Sequence, residues 1–110
     1  MVTVEIKVNR QKKYIGFICS GHAGYGESGY DIVCAAISIL THTIAASLES
    51  IVGLPLRVKA DENQGYLECT WDPQPDKAEQ SDLLIKTLIL GLSEIHEQYP
   101  DHISLCEMEV

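Results

Sequence analysis

Between Ile32 and Leu48 the chain carries no charged residue. Val33, Ile37, Leu40, Ile44, Leu48 and Ile51 recur there at steps of three or four. That periodicity predicts a helix from about Tyr30 to about Val52 with one core-facing stripe. Gly53 and Pro55 stop it. A membrane span needs about 20 apolar residues, and this run is interrupted by Ser38, Thr41, His42, Thr43 and Ser47. A helix buried in a folded domain explains it better. A helix lying on one face of a sheet normally shows Lys and Glu on its outer side. This one shows Ala, Ser and Thr, which predicts that the outer side is covered too, most simply by a second copy in a homodimer.

The flanking segments read as strands and one further helix. Val2, Val4, Ile6 and Val8 alternate with Thr3, Glu5 and Lys7, the period of a half-buried strand. Polar residues from Asn9 to Lys13 turn the chain, and Tyr14 to Ser20 resumes as a pairing strand. Leu56 to Ala60 and Tyr66 to Trp71 form a second pair around the turn Asp61-Glu62-Asn63-Gln64-Gly65. Ala78 to Gln98 is helical, with Leu84, Leu88, Leu92, Ile95 and Tyr99 on its buried side and Gly91 marking close helix packing. Ile103 to Val110 is a last strand. The fold class is therefore α+β: a single domain over residues 1–110, ordered ββαββαβ, with a mostly antiparallel sheet and both helices on one face.

Composition narrows the function. A chain of 110 residues that is 45% hydrophobic can bury a core. Its formal charge of −8 argues against direct nucleic-acid binding, which wants a basic stripe, and suits a basic partner. The cysteines at 19, 34, 69 and 106 are widely and irregularly spaced and no secretory signal opens the chain. A cytoplasmic setting with free thiols is expected, and no membrane association. Cys69 and Cys106 sit in strand patterns and read as core. His96 and His102 flank the end of the second helix, where dipole stabilisation or surface exposure explains them.

The chemistry concentrates between the second strand and the first helix. The stretch from Gly21 to Cys34 holds Gly21, Gly24, Gly26 and Gly29, four of the eight glycines, with His22 near its start. Cys34 falls in the first helical turn, where unpaired N–H groups and the helix dipole favour an anion, and the thiolate is the reactive form of cysteine. Those same N–H groups are candidates for an oxyanion hole. Ser28 or Asp31 caps the helix. Asp31, Cys34 and Ser38 make a polar strip that Thr41 and His42 extend. Hydroxyls there are not what a helix shaped only by core packing would carry. The glycines form a mobile loop that lets backbone approach a peptide and fold His22 back toward Cys34.

Three other readings compete. Gly24-Tyr25-Gly26-Glu27-Ser28-Gly29 spells the dinucleotide fingerprint GxGxxG, but the strand before it is hairpin-paired and the acid some twenty residues on, Glu49, lies inside a helix. Cys19, His22 and Cys34 could ligate a metal, but structural zinc wants two close ligand pairs and only one pair is close. No metal or cofactor is expected. A redox sensor would pair Cys34 with a resolving thiol such as Cys19.

Gly21-His22-Ala23, then Gly29-Tyr30-Asp31-Ile32-Val33-Cys34-Ala35-Ala36, then Ser38, resemble the ribosomal-processing cysteine protease family over the whole chain. The resemblance implies a small homodimeric endopeptidase of the kind found in bacteria, chiefly Gram-positive ones. Such enzymes remove a short N-terminal extension from large-subunit ribosomal protein twenty-seven during ribosome assembly. It implies that Cys34 is the nucleophile and His22 its base, and that Asp31 and Ser38 occupy supporting motif positions. The competing reading of the same charge is a non-enzymatic acidic dimer that chaperones a basic ribosomal protein.

Overall fold

The computed structural model describes residues 1–27 and 31–110. The helix start at Tyr30, Ser28 as an alternative cap and Gly29 as a loop glycine lie outside the described residues.

The chain runs β1 (Val2–Val8), β2 (Tyr14–Ser20), α1 (Ile32–Ser47), β3 (Arg57–Asp61), β4 (Tyr66–Thr70), α2 (Ala78–Gln98) and β5 (Ile103–Glu109). This is the expected ββαββαβ order. Alternation in β1 buries Val2, Val4, Ile6 and Val8 on one face. The Asn9 carboxamide oxygen accepts from the Gln11 and Lys13 backbone N–H groups and so closes the β1–β2 turn. The five strands lie in the order β3-β4-β2-β1-β5. All pairings are antiparallel except β1 with β5, which run parallel with Val2 beside Ile103.

Both helices cover the face that carries Val4, Ile6, Phe17 and Cys69, and one continuous core joins them to Ile37, Leu48, Ile85, Leu88 and Leu92. Each large aliphatic buried this way contributes on the order of 1.5–3 kcal/mol. The stripes differ in phase from the expected ones. On α1 the buried line is Val33, Ile37, Thr41 and Ile44, continuing to Leu48. Leu40 instead meets α2: a Cβ added at Gly91 would lie 2.6 Å from its Cδ2. Thr41 tolerates burial because its hydroxyl donates to the Ile37 carbonyl, 2.9 Å away. Ile51 is exposed, because Leu48–Val52 widens into a π-helical turn that Gly53 ends in the left-handed region. On α2 the line is Ser81, Ile85, Leu88 and Leu92, with Leu84, Ile95 and Tyr99 only partly buried.

Cys69 is core as expected, but Cys106 is exposed. It lies on β5, an edge strand of the sheet. The segment Ile32–Val52 is long and apolar enough to cross a membrane by length and composition. Its Val33, Ile37, Ile44 and Leu48 side chains are nonetheless part of the core cluster.

Candidate active site

Strand β2 delivers His22. The strand ends at Ser20, and Gly21 turns the chain with a φ of 94°. A Cβ at Gly21 would sit 2.5 Å from the Met1 carbonyl oxygen, so both conformation and space require glycine. The Met1 amine donates to the His22 carbonyl at 2.7 Å. The exposed His22 ring places Nε2 3.4 Å from the Asn63 carbonyl oxygen. A carbonyl only accepts, so Nε2 carries the hydrogen of that bond and the free lone pair of a neutral ring is on Nδ1.

The turn between β3 and β4 fixes that carbonyl. Asp61 accepts from the Asn63 and Gln64 backbone N–H groups, and Gly65 closes the turn with a φ of 61°. A Cβ at Gly65 would strike the Gly21 carbonyl oxygen and come within 3.0 Å of His22 Cε1.

Helix α1 delivers Cys34, and Asp31 starts the helix. One carboxylate oxygen accepts from the Val33 and Cys34 N–H groups, each at 3.0 Å. The other accepts from Tyr25 at 2.9 Å and Gly26 at 3.3 Å. Burial pushes the Asp31 carboxyl upward, but the four N–H bonds, that of Cys34 foremost, outweigh it and hold it below the usual carboxylate range. These bonds correct one expectation. The N–H groups of Val33 and Cys34 already serve Asp31 and are not free for an oxyanion. The donor facing the sulfur comes from the loop instead: the Ala23 N–H donates to Cys34 Sγ at 3.1 Å.

Cys34 and His22 open into one groove of about 680 Å³ between α1 and the β3–β4 turn, which Ser38, His42, Glu62 and Tyr66 also line. Among the described residues no hydrogen bond joins the His22 ring to Cys34. Ser38 is exposed one helical turn beyond Cys34. Cys19 lies in the same groove. Burial, and after it the charge of Cys34, pushes its thiol up to about 11, so Cys19 stays protonated at neutral pH. Among the described residues no group of three or more His, Cys, Asp or Glu is placed to hold a metal ion.

The expected loop glycines differ in kind. Gly21 and Gly24 have positive φ, whereas Gly26 does not and serves through its N–H. Several contributors escaped the sequence reading. Gly65 ends a polar turn, which is a legible signal, but its contact with His22 is not. Asn63 acts through its backbone, which side-chain identity does not advertise. Ala23 carries no sequence signal at all. His102 is no simple surface or dipole residue: it is half-buried and its Nδ1 lies 2.8 Å from the Ala23 carbonyl.

A two-layer α+β domain with a cysteine in the first turn of its main helix, its sulfur met by a backbone N–H and opening beside a histidine into a peptide-sized groove, has the parts of a small cysteine protease. The family model described as Cysteine protease Prp matches residues 1–104, and the chain belongs to that family. A relative from Staphylococcus aureus (strain Mu50 / ATCC 700699), the ribosomal processing cysteine protease Prp, is 35% identical over 109 residues, covering 96% of this chain and 97% of the relative. The crystal structure of the S. aureus ribosomal processing protease Prp with a covalently linked product peptide superposes with a TM-score of 0.88 at 29% identity, covering 98% of this chain and all of that one. The S. aureus protein with a substrate peptide gives a TM-score of 0.82 at 27% identity over the same share of each chain.

Proposed function

We propose that this protein is a cytoplasmic, homodimeric cysteine endopeptidase that removes a short N-terminal extension from the precursor of a basic large-subunit ribosomal protein, protein twenty-seven, during ribosome assembly. The observation that carries the reading is the Ala23 N–H aimed at Cys34 Sγ, at 3.1 Å, in a groove shared with His22. A donor on sulfur favours the thiolate, the nucleophilic form. The structures of the S. aureus relative with product and substrate peptides support a peptide in the corresponding groove.

In this reading His22 takes the Cys34 proton on Nδ1 while Asn63 steadies Nε2–H. The sulfur attacks the scissile carbonyl carbon, and the carbonyl π pair moves to oxygen. Collapse of that oxyanion breaks the C–N bond as the imidazolium returns its proton to the departing amine. Water, deprotonated by His22, then attacks the thioester and releases the acid and Cys34. Asp31 supports the site by holding the helix start and the loop together, and Ser38 offers a hydroxyl one turn along the groove. The loop from Gly21 through Gly24 and Gly26 moves to bring His22 onto the sulfur when substrate arrives.

The exposed Ile32, Ile39 and Ile51 on the first helical run and Leu83 and Leu90 on α2 support the homodimer. The formal charge of −8 supports a basic substrate. Mass spectrometry of the extended precursor and of its trimmed form, each incubated with wild type, Cys34→Ala and His22→Ala, tests the reading. One cut in the extended form by wild type alone is expected. No cut in a matched precursor, with Cys34 verified as reduced, would leave the acidic chaperone as the better account.

A further inference from the structure

The loop that presents a donor to Cys34 is itself gripped from the far end of the chain. His102, between α2 and β5, reaches Ala23 across 79 sequence positions, with Nδ1 2.8 Å from the Ala23 carbonyl oxygen. Its ring also packs edge-on against Tyr25, with centroids 5.3 Å apart, and Tyr25 stands edge-on to Tyr99 at 5.1 Å. Ala23 is only 2% exposed. Its carbonyl is held by His102 while its N–H is directed at Cys34 Sγ. The two groups lie in adjacent peptide planes joined at the Ala23 Cα, so a displacement of Ala23 as a whole disturbs both contacts.

We propose that His102 is a positioning residue for the reaction: by donating Nδ1–H to the Ala23 carbonyl, it keeps the Ala23 N–H on the Cys34 sulfur. The inference deepens the protease reading and rests on Cys34 being the nucleophile. A carbonyl cannot donate, so the His102 ring in this bond has its hydrogen on Nδ1. The edge-on contact with Tyr25, which Tyr99 braces in turn, limits rotation of the ring. Titratable groups facing Cys34 are Asp31 at the cap and Cys19, His22, His42, Glu62 and Tyr66 around the groove. Those facing His102 are Tyr25 and, through it, Tyr99. All of them remain in the variants below, so a change on replacing His102 reports the clamp.

The readout is the rate of Cys34 alkylation by iodoacetamide as a function of pH, with the labelled cysteine located by mass spectrometry, alongside precursor cleavage. In His102→Ala the sulfur loses a well-aimed donor, and its reaction with iodoacetamide slows. Alkylation at neutral pH should fall roughly threefold to tenfold, the worth of one lost hydrogen bond. His102→Asn should restore most of the rate, because its side-chain N–H₂ occupies the place of Nδ1–H. Nitrogen NMR of the wild-type ring should give the Nδ1–H tautomer, a measurement that holds even where the alanine variant fails to fold. An unchanged profile in His102→Ala, an asparagine variant as slow as the alanine one, or an Nε2–H tautomer in the wild type would each overturn the assignment. The two proposals fail separately. Wild-type cleavage with an alkylation profile indifferent to His102 removes the clamp and leaves the protease. A responsive profile without any precursor cleavage removes the precursor-processing reading and leaves His102 as a clamp on a reactive Cys34.

Discussion

Asp31 serves the helix and the loop with different oxygens, so two substitutions can separate its roles. Asp31→Ala removes the cap bonds to Val33 and Cys34 and the loop bonds to Tyr25 and Gly26. Loss of an N-cap side chain costs about 1 kcal/mol. The two loop N–H groups are only part-buried and can rehydrate, so they add about 1 kcal/mol more between them. A total of about 2 kcal/mol in a domain of this size lowers the melting temperature by roughly 8–12 °C. Asp31→Asn keeps one acceptor oxygen but sets an NH₂ against a pair of N–H donors. With the oxygen on the cap, the helix is preserved and the loop is released. Its melting temperature should fall by about half as much, while hydrogen exchange at Tyr25 and Gly26 should rise as far as in the alanine variant. The pH dependence has a defined sign. The folded carboxyl is held below its unfolded value of about 3.9, so its contribution is present above that pH and lost as pH falls through the folded value. Asp31→Ala should lose that part of the acid dependence. If Asp31→Asn leaves exchange at Tyr25 and Gly26 at the wild-type rate, the division of labour between the two oxygens is wrong.

Gly65→Ala should cost about 1–2 kcal/mol from its left-handed backbone alone and push His22 off the Asn63 carbonyl, lowering both the melting temperature and the precursor cleavage rate. A variant with wild-type activity would show that the β3–β4 turn does not set His22. With iodoacetamide at pH 8, Cys34 and the exposed Cys106 should label well before Cys19 and Cys69, whose thiols burial pushes up to about 11; equal labelling of all the cysteines would contradict that order. Sedimentation should give a dimer at micromolar concentration that Ile39→Glu weakens, since Ile39 is 68% exposed on the chain alone. A monomeric wild type at that concentration would remove the homodimer.

The fold was legible because its signals are local. The alternation of β1, the turn residues around Asn9 and Gly65, and the stops at Gly53 and Pro55 each act within a few residues. The phase of each helix was less legible, because it depends on what lies opposite. Leu40 looks like a sheet-facing residue until Gly91 on α2 is seen to leave room for it. Thr41 looks polar until its hydroxyl is satisfied by its own helix. Around the groove, His22, Cys34 and Ser38, with Asp31 at the helix cap, carry side-chain chemistry that a sequence displays. The partners that act through backbone atoms do not. The Ala23 N–H and the Asn63 carbonyl exist at every non-proline position, and only the fold brings these two to sulfur and imidazole. His102 was misread for a related reason. A histidine just past a helix end has an ordinary local explanation, and the contact that matters lies 79 residues away.

The resting arrangement carries a consequence for the proposed reaction. The Ala23 N–H stabilises charge on sulfur, and that charge is greatest before attack. As the sulfur bonds to the scissile carbon, the charge passes to the carbonyl oxygen, and a donor fixed on sulfur loses much of its partner. An interaction stronger in the ground state than in the transition state does not accelerate the chemical step. The Val33 and Cys34 N–H groups cannot take over, because Asp31 occupies them. Either the Ala23 N–H turns from sulfur toward the developing oxyanion, or the loop brings another donor. The first requires Ala23 to turn, and the second requires the loop around Gly24 and Gly26 to shift during the reaction. The Asp31 and His102 contacts are the ones that resist such motion. Weakening them should therefore slow thiolate formation while easing the later rearrangement. The His102 variants should accordingly lose less in the single-turnover acylation rate, measured at a pH where the thiol is fully ionised, than in alkylation at neutral pH. An equal loss in both would mean that the Ala23 donor follows the charge without leaving its clamp.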